Sequence, residues 1–129
     1  MKVISSPNID PVRGQIWEVF LDPTEGMEMQ KTRPCVILTA EPFRRVQLRM
    51  VVPITGWQDH FGRADWAVRL EPTATNGLEK PSAALAIQVR SVALERFYDD
   101  DAKAYLRGQV SAEELEAIVL AVGLIFEHP

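Results

Sequence analysis

The chain has 129 residues, enough for one domain with its own core; a chain of this size buries roughly two-thirds of its unfolded surface on folding. A hydrophobic content of 47% with 25% charged residues is ordinary for a globular protein, no apolar run approaches the roughly 20 residues that cross a bilayer, and M-K-V-I-S-S-P-N-I-D-P lacks the apolar core of a signal peptide, so a cytoplasmic protein without a membrane segment is expected. The net charge of −4 excludes a protein that coats nucleic acid by bulk electrostatics while leaving room for a local basic site, and the single cysteine, Cys35, excludes an internal disulfide and reads as a small buried hydrophobe in P-C-V-I-L.

In chain order, Gln15 to Leu21 (Q-I-W-E-V-F-L) is short, rich in β-branched and aromatic residues and bounded by Gly14 and by Asp22-Pro23, which reads as a strand. Cys35 to Thr39 follows Pro34 directly, and proline is tolerated at the first residue of a strand because it owes no ladder hydrogen bond there. Val46 to Ile54 alternates in V-Q-L-R-M and becomes continuously apolar in V-V-P-I, as in a strand that enters half exposed and ends buried. A polar loop over Gly56 to Asp65 leads to a strand at Trp66 to Leu70, a turn-rich stretch follows from Glu71 to Pro81, and Ala83 to Val89 is the last core strand. Leu94 to Leu106 reads two ways, as a helix from Arg96 to Leu106 or as a turn at the Asp triplet before a short strand. Ser111-Ala-Glu-Glu114 matches a capping box, and Leu115, Ile118, Val119, Val122, Ile125 and Phe126 form one apolar helical stripe after it. Several strands with turn signals and one closing helix point to a small β-barrel or two packed sheets in a single domain, residues 1-129.

The stretch with the clearest chemistry is D-P-T-E-G-M-E-M-Q-K-T-R-P at Asp22 to Pro34, read with P-I-T at Pro53 to Thr55. It sets an acid and an arginine in a glycine-hinged loop between two apolar runs, with a hydroxyl at the end of a third. Glu28, Arg33 and Thr55 could face one anionic ligand, with a phosphodiester the obvious candidate. Thr55 could equally cap a turn with Gly56, and Arg33 could sit unengaged at a strand edge.

With R-G-Q-I-W-E-V at Arg13 to Val19, K-T-R-P at Lys31 to Pro34, V-P-I-T at Val52 to Thr55, Q-V-R-S-V with Arg96 after it, and the closing V-S-A-E-E-L helix, the chain resembles the MazF/PemK (Kid) toxins of type II toxin-antitoxin systems. The similarity runs from about Arg13 to Phe126. It implies an SH3-like small β-barrel of the CcdB/PemK kind over residues 12-127, mainly β with a C-terminal α-helix, and leaves 1-11 as an unmatched N-terminal extension. It also implies a homodimer that cuts single-stranded RNA at short sequences without a metal or other cofactor, restrained by a cognate antitoxin. The residues carried over are Arg33 and Thr55 as the principal catalytic pair and Glu28 as candidate base, with Lys31, Gln88, Arg90 and Trp57 as candidate RNA contacts.

Metal-free cleavage of RNA has the ribose 2′-hydroxyl attack the adjacent phosphorus, which sets three tasks: deprotonate, stabilise, protonate. Arg33 suits the second, because its planar fork donates several hydrogen bonds and keeps its charge, and for the same reason it is a poor proton donor. Thr55 would hydrogen-bond the scissile phosphate. Glu28, as a free carboxyl near pKa 4.3, would need that value raised to act efficiently as a base. An acidic antitoxin tail competing for the site would need positive potential around Lys31, Arg33, Arg44, Arg45 and Arg49. Trp57 and Phe61, beside His60, could stack bases or anchor their loop to the core.

The sequence also departs from the family pattern. Before R-P many members have a glycine, where this chain reads M-Q-K-T, so cleavage specificity is not carried over; and Ile87 stands where an Asp usually precedes the Gln matching Gln88. A non-enzymatic CcdB-like inhibitor of DNA gyrase on the same barrel is the alternative function. A gyrase poison has no use for a phosphate-activating Arg-Thr pair.

Overall fold

The computed structural model describes residues 1–5, 8–21, 26 and 32–127. Its strands are β1 (Lys2–Ile4), β2 (Gln15–Phe20), β3 (Thr32–Ile37), β4 (Leu48–Gly56), β5 (Ala67–Leu70), β6 (Ser82–Leu85), β7 (Arg90–Ala93) and β8 (Ala104–Gln109), followed by one helix, α1 (Ala112–Ile125). The strands pair antiparallel in the order β1-β8-β2-β3-β4-β6-β5, with β7 on the first half of β4. The expected β architecture with a C-terminal helix is present; the barrel is not closed by hydrogen bonds, since among the described residues no ladder joins β1 to β5.

β2, β3 and β4 read as near-continuous apolar runs because they are covered on both faces. Ile16, Val36, Val52 and Ile54 point into one core with Leu70, Ala84 and Ile118 of α1. Their alternates, Trp17, Val19, Cys35, Ile37 and Val51, point into a second core with Val92, Phe97 and Ala104. β4 is the pivot between ladders: Leu48 to Val51 pairs with β7, Val51 to Pro53 with β3, and Ile54 to Gly56 with β6.

Several expectations change in detail. The run expected as one strand at Ala83 to Val89 ends as β6 at Leu85 and continues as a 3-10 turn at Ala86–Gln88, and β7 begins after it, at Arg90. Leu94 to Leu106 takes the second of its two readings, a 3-10 turn at Leu94–Phe97 and then a turn ahead of β8. There Asp99 organises the backbone: its Oδ1 accepts from the amides of Asp101 and Lys103, and its Oδ2 from the Tyr105 hydroxyl. In V-Q-L-R-M the polarity is reversed, because Leu48 and Met50 face outward and Arg49 is 2% exposed. A buried guanidinium is tolerable there because it donates to the carbonyls of Pro11, Val46 and Leu48 and pairs with Asp10 at 2.8 Å. The capping box is formed in full by Ser111 and Glu114, and α1 buries Ile118 and Ala121 with Leu115 and Val122 packed beside them. Phe126 does not continue that stripe: as the C-cap residue it has left the helical register, and it is 69% exposed.

The N-terminal extension belongs to the sheet. β1 pairs with β8 (Lys2↔Leu106, Val3↔Tyr105, Ile4↔Ala104), Ile4 and Ile9 pack on the second core, and Asp10 holds Arg49 and Arg44. No helix among the described residues is long and apolar enough to cross a membrane.

Candidate functional site

Register brings Arg33 and Thr55 together. β3 and β4 pair through Cys35↔Pro53, and two residues further along each strand, where the ladder has ended, stand Arg33 and Thr55. An offset of two keeps both on the same sheet face, and the end of the ladder leaves room between the strands. Both are half-buried and line one cavity of about 290 Å³ with Pro34, Gly56, Glu79, Lys80, Ser82 and Arg107. The Nε of Arg33 is buried and has no hydrogen-bond partner among the described residues. Such an orphaned donor costs free energy unless something binds it, which marks the place where an anion would be received.

One wall of the cavity is the loop between β5 and β6, and its rigidity has identifiable causes. Asn76, 1% exposed, accepts from the amides of Thr73 and Leu78 through Oδ1 and donates through Nδ2 to the carbonyl of Glu71, while its own amide donates to Thr73 Oγ1. The loop lies on β8 with backbone against backbone: a Cβ on Gly77, where φ is +67°, would stand 2.3 Å from the Arg107 carbonyl, and one on Gly108 would stand 2.1 Å from the Thr75 carbonyl. Only glycine fits either position. Arg107 fastens the contact by donating to the Gly77 carbonyl at 2.9 Å and to Glu18 of β2 at 2.7 Å, with both partners largely buried. Beyond this wall Gly56 pairs with Ser82, the Trp57 amide donates to the Pro81 carbonyl, and Ser82 Oγ donates to the Lys80 carbonyl, so Lys80 is held on both sides at the mouth of the cavity.

The remaining expected residues are distributed as follows. Glu28 and Lys31 lie outside the described residues. Gln88 ends the 3-10 turn and is half-buried; Arg90 opens β7 opposite Val51, also half-buried, with an Nη1 that is buried and without a hydrogen-bond partner. Trp57 follows Gly56 directly, but its ring is engaged, edge to face with Phe61 at 5.7 Å and beneath the Arg69 guanidinium at 4.7 Å. Phe61 is buried between Trp57 and Trp66 and anchors its loop, and His60 rests exposed against it at 4.5 Å. Arg44 and Arg49 do not contribute to the site. They are paired with Asp10 in a separate cleft of about 590 Å³, where Arg45 also lies. The Cys35 thiol is fully enclosed, and burial, with the charge of Glu18 adding to it, pushes its pKa far up, so it is an inert core residue.

Reasoning from sequence missed Lys80, Glu79 and Arg107. The first two sit in N-G-L-E-K-P, a segment whose only readable signal is a turn, and Arg107 was one more cation in a stretch whose structure was ambiguous. The glycine beside Arg107, in R-G-Q, was the available hint of close backbone approach.

Known proteins resemble the chain in both sequence and fold. Residues 12–126 match the family model described as PemK-like, MazF-like toxin of type II toxin-antitoxin system. The chain is 48% identical over 63 residues to "Endoribonuclease PemK" of Escherichia coli, a match that spans 48% of this chain and 47% of that protein. It is 33% identical over 120 residues to "Endoribonuclease MazF9" of Mycobacterium tuberculosis, across 87% of this chain and 92% of that protein. Among solved structures, MazF (Form-I) from Deinococcus radiodurans superposes with a TM-score of 0.74 at 19% identity, covering 93% of this chain and 99% of that one. An endoribonuclease in complex with its cognate antitoxin from a Mycobacterial species superposes at 0.66 with 17% identity, covering 92% and 97%.

Proposed function

The chain belongs to the PemK-like, MazF-like toxins of type II toxin-antitoxin systems, and from that premise we propose that it is a sequence-specific, metal-independent endoribonuclease that cuts single-stranded RNA in the cavity between Arg33 and Thr55. The observation that carries the reading is the Arg33 guanidinium, half-buried opposite Thr55 with an unsatisfied buried donor. A scissile phosphate placed there meets a planar cationic fork whose charge is permanent and a hydroxyl on the facing strand. The ribose 2′-hydroxyl attacks phosphorus, the non-bridging oxygens gain charge against Arg33, and Thr55 fixes one of them by a hydrogen bond. Glu28 is the base that takes the 2′-hydroxyl proton. Lys31, Gln88, Arg90 and Trp57 are the further RNA contacts of this reading.

Two named endoribonucleases among the relatives favour this over the gyrase-inhibitor alternative, as does a pocket whose polar groups suit a phosphodiester. By analogy with the structural relative solved with its cognate antitoxin, the protein is restrained by an antitoxin; action as a homodimer in the cytoplasm is what the family resemblance of the sequence implies.

The test is to incubate the purified protein with a long single-stranded RNA in EDTA and map the ends. Wild type is expected to leave 2′,3′-cyclic phosphate ends at a short recurring sequence, and Arg33→Ala and Thr55→Ala to abolish cutting while keeping the wild-type melting profile. Undiminished cutting by both variants, or no cutting by folded wild type, refutes the reading.

A further inference from the structure

The proposed reaction has a base and a stabilising cation but lacks a donor for the leaving 5′-oxygen. Guanidinium groups do not serve, because they do not lose a proton in proteins; this covers Arg33 and Arg107, although each keeps a buried Nε without a partner among the described residues. Carboxylates accept rather than donate at neutral pH, and the Ser82 hydroxyl is already donating to the Lys80 carbonyl. Among the described residues, the one ammonium lining the cavity is that of Lys80.

Resting on the ribonuclease reading above, we propose that Lys80 is the general acid, donating a proton from Nζ to the 5′-oxygen as it leaves. The placement is specific. Lys80 folds back over Gly56, the residue after Thr55, so that its Cε and Nζ lie 3.0 and 3.1 Å from where a Gly56 Cβ would be. The ammonium therefore lies over Gly56, at the edge of the same cavity that Thr55 and Arg33 line, and the missing side chain at Gly56 is what lets it approach the strand. The backbone on both sides is fixed by the Gly56↔Ser82 pair, the Trp57 to Pro81 hydrogen bond and the Ser82 to Lys80 hydrogen bond. Among the described residues Lys80 Nζ has no ion pair or hydrogen bond, which leaves its protons for a ligand. An alkylammonium also yields its proton about two pK units or more below a guanidinium, so it suits a departing alkoxide better.

The step balances. The 2′-oxygen to phosphorus bond forms and the phosphorus to 5′-oxygen bond breaks; the electron pair of the broken bond stays on the 5′-oxygen, which takes the Lys80 proton. The 2′-hydroxyl proton passes to the Glu28 carboxylate, and exchange with water restores both groups.

A change of leaving group tests this directly. On an oligonucleotide built around the mapped cut site, Lys80→Met is expected to lower the single-turnover rate about 10²- to 10⁴-fold. Replacing the bridging 5′-oxygen by sulfur gives a thiolate that departs without protonation, and on that substrate wild type and Lys80→Met should cut at matching rates. Lys80→Arg, which keeps the charge, should behave as Lys80→Met does on both substrates. An equal loss on the two substrates, a full rate on ordinary RNA, or restoration by arginine overturns the assignment while leaving the ribonuclease reading in place. Wild type that cuts neither substrate overturns both.

Discussion

Removing Asp10 tests whether the N-terminal segment is structural. Arg49 has a side chain only 1% exposed, and Asp10 is the carboxylate paired with it, at 2.8 Å. Breaking a fully buried ion pair by deleting one partner costs about 3–5 kcal/mol, because a charge is left behind without compensation. Two features reduce that figure here: Asp10 is 51% exposed, so water takes part of its place, and Arg49 keeps three backbone carbonyl acceptors. The expected loss for Asp10→Ala is about 2 kcal/mol, which for a domain of this length lowers Tm by about 6–10 °C. Differential scanning calorimetry at neutral pH reads it, with Glu41→Ala as control, since Glu41 is 86% exposed and reaches Arg44 only at 3.8 Å. The pH dependence has a definite sign. Hydrogen bonding to Arg44, joined by that to Arg49, lowers the Asp10 pKa below the ordinary 3.8 against an opposing contribution from burial. The stabilisation is therefore present above that value and lost as pH falls through the lowered one, so the curves of wild type and variant should converge in acid. A variant melting within a degree of wild type at neutral pH would refute the reasoning and show that the carbonyls alone satisfy Arg49.

Gly77→Ala forces a Cβ to 2.3 Å from the Arg107 carbonyl at a left-handed φ of +67°; the expected destabilisation is about 2–4 kcal/mol by chemical denaturation, with RNA cleavage impaired even in the fraction that folds, because the wall carrying Lys80 is displaced. Ser111→Ala removes the hydroxyl that accepts from the Glu114 amide at 3.1 Å and should cost about 1 kcal/mol with cleavage unchanged, a loss of activity counting against the placement of α1 away from the site.

What the sequence could reveal depended on whether the signal was local. The capping box at Ser111 to Glu114 is four residues of self-contained chemistry, and it forms as expected. The runs in β2, β3 and β4 were legible because burial on both faces leaves an unbroken apolar stretch. Arg33 and Thr55 stood out in the sequence as a candidate pair, and their shared face follows from the β3–β4 register once Cys35 is known to oppose Pro53. Arg49 was misread because alternation assigns every other residue to a face without saying which face is wet, and the deciding partner, Asp10, lies 39 positions away. Lys80 and Arg107 went unnoticed for the same reason: each acquires meaning from a contact with a distant strand, Gly56 for one and Glu18 for the other. Phe126 was placed on the helical stripe because periodicity does not register where a helix ends.

The two cation clusters have opposite purposes, which reconciles a net charge of −4 with a phosphate site. In the cleft around Asp10 the charges of Arg44, Arg45 and Arg49 are matched by those of Asp10, Glu41 and Glu95, so that cleft projects little potential. In the cavity beside Thr55, Arg107 is paired with Glu18, Arg33 and Arg107 each retain a buried Nε without a partner, and Lys80 has no ion pair, among the described residues. Arg33, Lys80 and Arg107 therefore bring three cations to one cavity, with Glu79 at its lining and Glu18 behind Arg107 as the acids. Attraction between exposed charges falls off within about a Debye length, some 8 Å at physiological salt, so for the RNA substrate proposed above these nearby cations would count for more than the acidic balance of the whole chain.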